Sequence, residues 1–231
     1  MAEVKQPART RTESEQVIDR AKDFWSRYGK PVMIGAVAII VLGGGYLGYK
    51  YFIQAPKEQK AADAIWRAQD YFAQDSLDKA LKGDGQAQGF ERIASQYSGT
   101  KSGELANFYA GAAALKAGDH NKAIKYLKEF DTDAKQIQGR AYKLLGDAYA
   151  AAGKNADALS SYKKAAREFE KDKYNSSEYL IIAAYFADRV VNDKKQAEEL
   201  YREVKKKYPN TQASDDASRY LAQMGIYDTD K

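Results

Sequence analysis

The 231-residue chain has no cysteine, one histidine, four prolines and two tryptophans. Without cysteine there are no thiol nucleophiles, thiolate-held metals or disulfides. A lone imidazole is a poor start for a metal centre, which usually draws on several ligands of this kind. That histidine, His120, sits in Gly118-Asp119-His120-Asn121, which reads as an exposed helix–helix turn. Nothing marks the positioned partners that a Ser-His-Asp arrangement needs. A Gly-rich phosphate loop is also missing, and no strand-like alternation is visible. We therefore expect no catalytic, cofactor or metal residues, and a protein that is not an enzyme. Charge of one sign is lacking as well. The net charge is +5, and residues 51–231 hold 29 Lys/Arg against 27 Asp/Glu. Nothing here reads as a nucleic-acid surface. Lys205-Lys206-Lys207 is the only tight basic run, and it reads as a solvated helix face.

What the chain does have is a long apolar run. Residues 31–49 carry no charge, Lys50 follows, and Tyr51, Phe52 and Ile53 close the segment. A bilayer core of about 30 Å needs about 20 apolar helical residues. Residues 31–53 are predicted to be a single transmembrane helix, with Lys50 snorkelling to the interface. Gly43, Gly44, Gly45 and Gly48 are costly in a water-soluble helix but common in membrane helices. Gly44 and Gly48 form a small-xxx-small pair suited to packing on another membrane helix. The run starts late for a signal peptide and lacks a small-x-small cleavage site, so it is expected to stay attached.

Residues 1–30 are read as a cytoplasmic tail. The Lys/Arg bias across the span is weak, with Arg20, Lys22, Arg27 and Lys30 before it and Lys50, Lys57, Lys60 and Arg67 after it. Arg27 and Lys30 lie beside the first apolar residues, and a large downstream domain translocates largely regardless of charge. The N-terminus is therefore expected inside and the large domain outside. Thr12 and Glu15 fit a capping box. Val17, Ile18, Ala21, Phe24, Trp25 and Tyr28 follow helical spacing, predicting an amphipathic helix over 13–28. Such a helix suits a membrane interface or a partner protein.

Residues 58–231 carry internal repeats. Tyr142-Lys143-Leu144-Leu145-Gly146-Asp147-Ala148-Tyr149 is continued by Gly153, Ala158, Tyr162 and Ala165. The small residues Gly146 and Ala158 would let two helices approach, with Leu145, Tyr149, Leu159 and Tyr162 filling the space around them. Gly153 would make the turn. Gly111, Gly118 and Ala123 precede Gly146, Gly153 and Ala158 by 35 residues each. A weaker third copy over 178–209 keeps Ala197, Tyr201 and Pro209 but has Ala184-Tyr185 for Leu-Gly. It runs about five residues late, which predicts an extended loop around Lys171–Ser176. Tyr97-Ser98-Gly99-Thr100 and Tyr208-Pro209-Asn210-Thr211 each end one helix and precede another. Helices over 58–82 and 86–97 would form the first pair, and 212–224 the closing helix. That makes about nine helices after the span, an all-α, right-handed α-solenoid.

Residues 139–170 resemble a tetratricopeptide repeat in the aromatic, Leu-Gly and Tyr spacing of that family. The whole layout resembles the membrane-anchored tetratricopeptide proteins that include the ancillary subunit of the bacterial Sec translocon. Their repeat domain is shared with a cell-division coordinator. The resemblance implies a bacterial inner-membrane protein with a periplasmic domain. Its implied partners are translocon subunits and periplasmic chaperones or exported polypeptides. An envelope scaffold for cell division or cell-wall assembly is the alternative with the same fold. The repeat motif itself speaks to fold rather than function.

In such repeats the first helix of each pair lines the concave face. Leu105, Phe108, Ala112 and Leu115 would come from one pair, Lys143 and Asp147 from the next, and Tyr179, Ile182 and Phe186 from the third. An apolar, aromatic groove suits extended or helical polypeptide, unless the closing helix covers the last three. The carboxylate-clamp subtype of the family pairs lysine with asparagine, whereas Asp147 shares the groove with Lys143 here. Binding of chaperone C-termini is therefore not expected.

Overall fold

The computed structural model describes residues 13–169 and 172–227, with side chains from Val17 onward. The Thr12–Glu15 capping box lies outside the described side chains. The chain divides into two units, residues 1–55 and 56–231.

The first unit is helix α1, Glu13–Tyr49, followed by a π-helical turn, Lys50–Gln54. The expected amphipathic segment and the expected span are thus one helix up to Tyr49, with Pro31 inside it. Pro31 cannot donate to the carbonyl one turn earlier, yet the helix runs on. The π-turn begins at Lys50, the first charge after the apolar run. Val17, Ile18, Phe24, Trp25 and Tyr28 are all exposed, as are the large apolar residues from Val32 to Ile53. The Phe24 and Tyr28 rings lie 5.2 Å apart. Trp25 lies across Gly29, where a Cβ would sit 3.4 Å from the indole. Tyr46, Tyr49, Tyr51 and Phe52 form a second aromatic group. Tyr28 and Tyr49 are about 30 Å apart along an ideal helix, which is the depth of a hydrocarbon core with an aromatic belt at each surface.

The second unit contains α2 (Ala55–Ala73), α3 (Leu77–Lys82), α4 (Phe90–Gln96), α5 (Lys101–Lys116), α6 (His120–Glu129), α7 (Lys135–Ala151), α8 (Asn155–Glu168), α9 (Lys173–Phe186), α10 (Lys194–Lys207) and α11 (Gln212–Gln223). No strand occurs among the described residues. The fold is an all-α tetratricopeptide-like solenoid, with ten helices among the described residues of this unit rather than about nine. The extra one arises where the expected 58–82 helix breaks: Asp75 takes a left-handed backbone, φ 59°, and separates α2 from α3. The helix expected over 86–97 is shorter, since Phe90 begins it.

Each consecutive helix pair from α3·α4 through α10·α11 packs together, α5 also meets α7 and α9 meets α11, and α2 joins the first core through Ala61, Ile65 and Ala68. Two hydrophobic clusters result. One runs from Ala61 to Ala148 and the other from Ala158 to Leu221, and half-buried Tyr149 packs against both. Gly146 explains the closeness of α7 and α8: a Cβ there would lie 2.5 Å from Tyr162 Cε1. Gly111 does the same for α5 and α6 against Leu127.

The two Tyr-x-x-Thr echoes are one local motif used twice. The third residue is left-handed, Gly99 at φ 76° and Asn210 at φ 62°. The Thr100 hydroxyl donates to the Tyr97 carbonyl at 2.6 Å and its Oγ1 accepts the Gly103 N–H at 2.9 Å. Thr211 repeats this with Tyr208 at 2.8 Å and Ser214 at 3.2 Å. Each threonine therefore ends a turn and caps the next helix. The start of α5 has a second cap from another helix. Glu58 on α2 accepts the Lys101 N–H at 2.6 Å and both the N–H and hydroxyl of Ser102, at 2.9 and 2.7 Å.

The late register of the third copy has a different origin from the extended loop expected at Lys171–Ser176. Helix α9 already begins at Lys173. Instead, α8 has 14 residues where α6 has 10, about one extra turn. A π-helical turn, Ala187–Val191, then adds one residue to the end of α9. Asn192, at φ 59°, takes the turn position that Gly118 and Gly153 hold in the other copies.

Candidate polypeptide-binding cleft

Helices α7, α9 and α11 form a cleft of about 630 Å³. Lys143 comes from α7, while Tyr174, Ser177, Glu178, Tyr179, Ile181 and Ile182 come from α9. Thr211, Gln212, Ala213 and Asp216 come from the start of α11 and its cap. The Thr211 cap fixes where α11 begins and hence this wall of the cleft.

Lys143, Tyr179 and Ile182, three of the residues expected on the concave face, lie together in this cleft. Tyr179 stacks on Phe169 at 5.4 Å, and burial, ahead of the nearby charges, raises its phenol pKa. Lys143 Nζ pairs with Asp147 Oδ2 at 2.7 Å. The other Asp147 oxygen accepts the Tyr162 hydroxyl at 3.0 Å. Asp147 is thus tied to the α7–α8 core and neutralises Lys143, so the pair is a scaffold of the cleft wall. Burial first, and then the Asp147 charge, push the Tyr162 phenol well above its ordinary range.

The other predicted residues lie elsewhere. Leu105 lines a separate recess of about 590 Å³ with Glu104, Phe130, Thr132 and Ile137. Phe108 packs on Phe130 and Tyr109 at 5.5 and 5.4 Å. Phe108 and Leu115 are half-buried against the first core cluster, and Ala112 is also half-buried. Phe186 is corrected from groove to core: it is buried, edge-on to Tyr162 at 5.3 Å. Helix α11 closes the end of the stack through Tyr220, which stacks on buried Tyr201 at 5.3 Å. It leaves Tyr179 and Ile182 half-buried rather than covered. The lone histidine is the first residue of α6 and half-buried, not exposed.

Sequence reasoning missed Tyr174, Ile181 and the α11 wall. Tyr174 and Ile181 stand seven positions apart, two helical turns on one face, and that spacing was readable. Gln212 and Asp216 carried no comparable signal. The cleft offers aromatic and branched apolar contact beside charge that is paired at Lys143 with Asp147 and at Asp216 with Arg219, and the carboxylate of Glu178 also lines it. Surfaces of this chemistry suit polypeptide side chains, with tyrosines as anchors.

Stacked helix pairs with a polypeptide-sized cleft define a protein–protein interaction module. Residues 22–141 match the family described as tetratricopeptide repeat-like domain, and residues 177–211 match a tetratricopeptide repeat. The first match covers more than half of the chain, which therefore belongs to the tetratricopeptide repeat-like family. No curated protein and no solved structure matches the chain. Among the described residues, one helical stretch, near the N-terminus, is long and apolar enough to cross a membrane.

Proposed function

We propose that this protein is a non-enzymatic, single-pass membrane protein that assists protein export as an ancillary translocon subunit with chaperone-like contacts. In this reading residues 31–53 cross the bacterial inner membrane, residues 1–30 stay in the cytoplasm, and the repeat domain faces the periplasm. Gly44 and Gly48 pack on a helix of a translocon subunit. A Cβ on either meets no atom of this chain within 4 Å, so both are open to a neighbour. The cleft around Tyr179 and Ile182 receives exported polypeptide or a periplasmic chaperone.

The observation that carries this reading is the pairing of one apolar N-terminal helix, bounded by two aromatic groups, with a tetratricopeptide cleft of polypeptide size. Affinity isolation of the full chain from detergent-solubilised membranes tests it. Recovery of translocon subunits supports export assistance. Recovery of division or cell-wall assembly proteins in their place supports the envelope-scaffold alternative and removes the export reading.

A further inference from the structure

We propose a second docking site, for an acidic polypeptide segment, in the groove between α8 and the π-helical turn Ala187–Val191. The groove measures about 380 Å³ and shares no residue with the cleft described above. Leu159 and Val191 contribute apolar surface, while Lys163, Lys164 and Arg167 supply three cations and no carboxylate lines it.

Several cations on the neighbouring helices are paired. On α10, Arg202 pairs with Glu198 at 2.9 Å and Lys207 with Glu203 at 2.6 Å, each one turn apart. On α7, Lys143 pairs with Asp147. On α8 the residue one turn before Arg167 is Lys163, a like charge, and one turn before Lys163 is Leu159. Among the described residues none of the three α8 cations has an ion-pair partner. Lys164 instead lies over the Tyr142 ring at 5.8 Å. Like charges spaced i,i+4 destabilise a helix. The helix dipole offsets this for Arg167 in the last turn, but its effect falls off before Lys163. The fold therefore leaves Lys163 and Arg167 without a counter-charge at a trough walled in part by Leu159 and Val191, while Lys164 leans toward Tyr142.

Charge complementarity selects an anionic occupant, and the shape selects among anions. Lys163 is half-buried in the groove, where a narrow chain bearing carboxylates reaches it and a flat bilayer surface does not. Leu159 and Val191 add a place for an apolar side chain. The π-turn that shifts the third repeat is also what brings Val191 to this edge. The site thus exists only between the second and third repeat pairs.

The test uses the full chain in phosphatidylcholine nanodiscs. The probe is a labelled peptide of alternating glutamate and glycine with a central leucine, followed by fluorescence anisotropy. The lysine-for-glutamate version of the peptide and free vesicles of phosphatidylglycerol are compared with it. The expected result is salt-sensitive binding of the glutamate peptide, weakened about tenfold by the double variant Lys163→Gln/Arg167→Gln, on the scale of two partly exposed charge contacts. Lys206→Gln on α10 is expected to bind like the parent. Circular dichroism establishes that both variants are folded. Equal binding by the double variant and Lys206→Gln overturns the proposal. So does capture of the vesicles without binding of the peptide, which assigns the groove to a lipid surface.

Discussion

Replacing Gly146 with leucine tests the packing of the repeat domain at a close contact between α7 and α8. A Cβ at this position would stand 2.5 Å from Tyr162 Cε1 and 2.6 Å from Cδ1. Tyr162 has little freedom to retreat. It is 5 % exposed, its hydroxyl is held by Asp147, and its ring meets the edge of Phe186. Alanine gains about 1 kcal/mol of helix propensity over glycine, but overpacking a close contact costs about 1–3 kcal/mol. Gly146→Ala should therefore be neutral to destabilising despite its propensity gain. Leucine adds three more carbons in the same direction, so a loss of about 3 kcal/mol is the expected order. At about 2–4 °C per kcal/mol for a domain of this size, the Tm should fall by about 6–12 °C. The assay is thermal unfolding of the full chain in detergent by far-UV circular dichroism. Gly43→Leu serves as control, since a Cβ there meets nothing within 4 Å. A Gly146→Leu melt that matches Gly43→Leu refutes the placement of Tyr162 against Gly146.

Acid should destabilise the repeat domain in a defined window. Ser102 and Lys101 hold the Glu58 carboxyl below its usual value despite partial burial. The Ala87 N–H, the Tyr71 hydroxyl and the Gln86 N–H bring Asp84 to about 2, while Asn175 lowers Asp172. Carboxyls lowered in the folded state bind fewer protons than the unfolded chain does. Their stabilisation is present above about pH 4 and is lost toward about pH 2. The Tm should decline through that window, and a flat Tm there contradicts the assignment. Replacing both Gly44 and Gly48 with leucine should abolish co-purification of the membrane partner while leaving insertion intact, because close helix approach needs small residues. Unchanged recovery counts against that interface. Ser160→Cys places a thiol on an exposed position of this cysteine-free chain. A membrane-impermeant reagent should label it in intact spheroplasts, and labelling only after lysis reverses the topology.

The repeat positions were legible because close packing leaves a compositional trace. Only glycine fits beneath Tyr162 and Leu127, so Gly146 and Gly111 stand at a fixed interval. The left-handed turns at Gly118 and Gly153 left the same mark. The break at Asp75 left none, because Gln74-Asp75-Ser76 contains neither glycine nor proline. The π-turn was equally hidden. It arises from a change of hydrogen-bond partner, and Ala187-Asp188-Arg189-Val190-Val191 reads as ordinary helix. The misplacement of Phe186 follows from the same region. From Leu180 to Phe186 every residue is apolar or aromatic, so spacing alone did not separate the open face from the core. The placement of Lys143, Tyr179 and Ile182 beside one another was legible because the first helix of each pair sets their direction. The cleft's far wall depended on where Thr211 starts α11, a tertiary fact.

Client binding in the cleft is tested by site-specific photo-crosslinking in intact cells, with benzoylphenylalanine placed at Ile182 in the cleft or at Lys206 on α10. Adducts with translocon subunits, periplasmic chaperones or exported polypeptides are expected at Ile182 and not at Lys206. Equal adducts at both positions, or adducts at Ile182 with division proteins alone, would contradict that expectation.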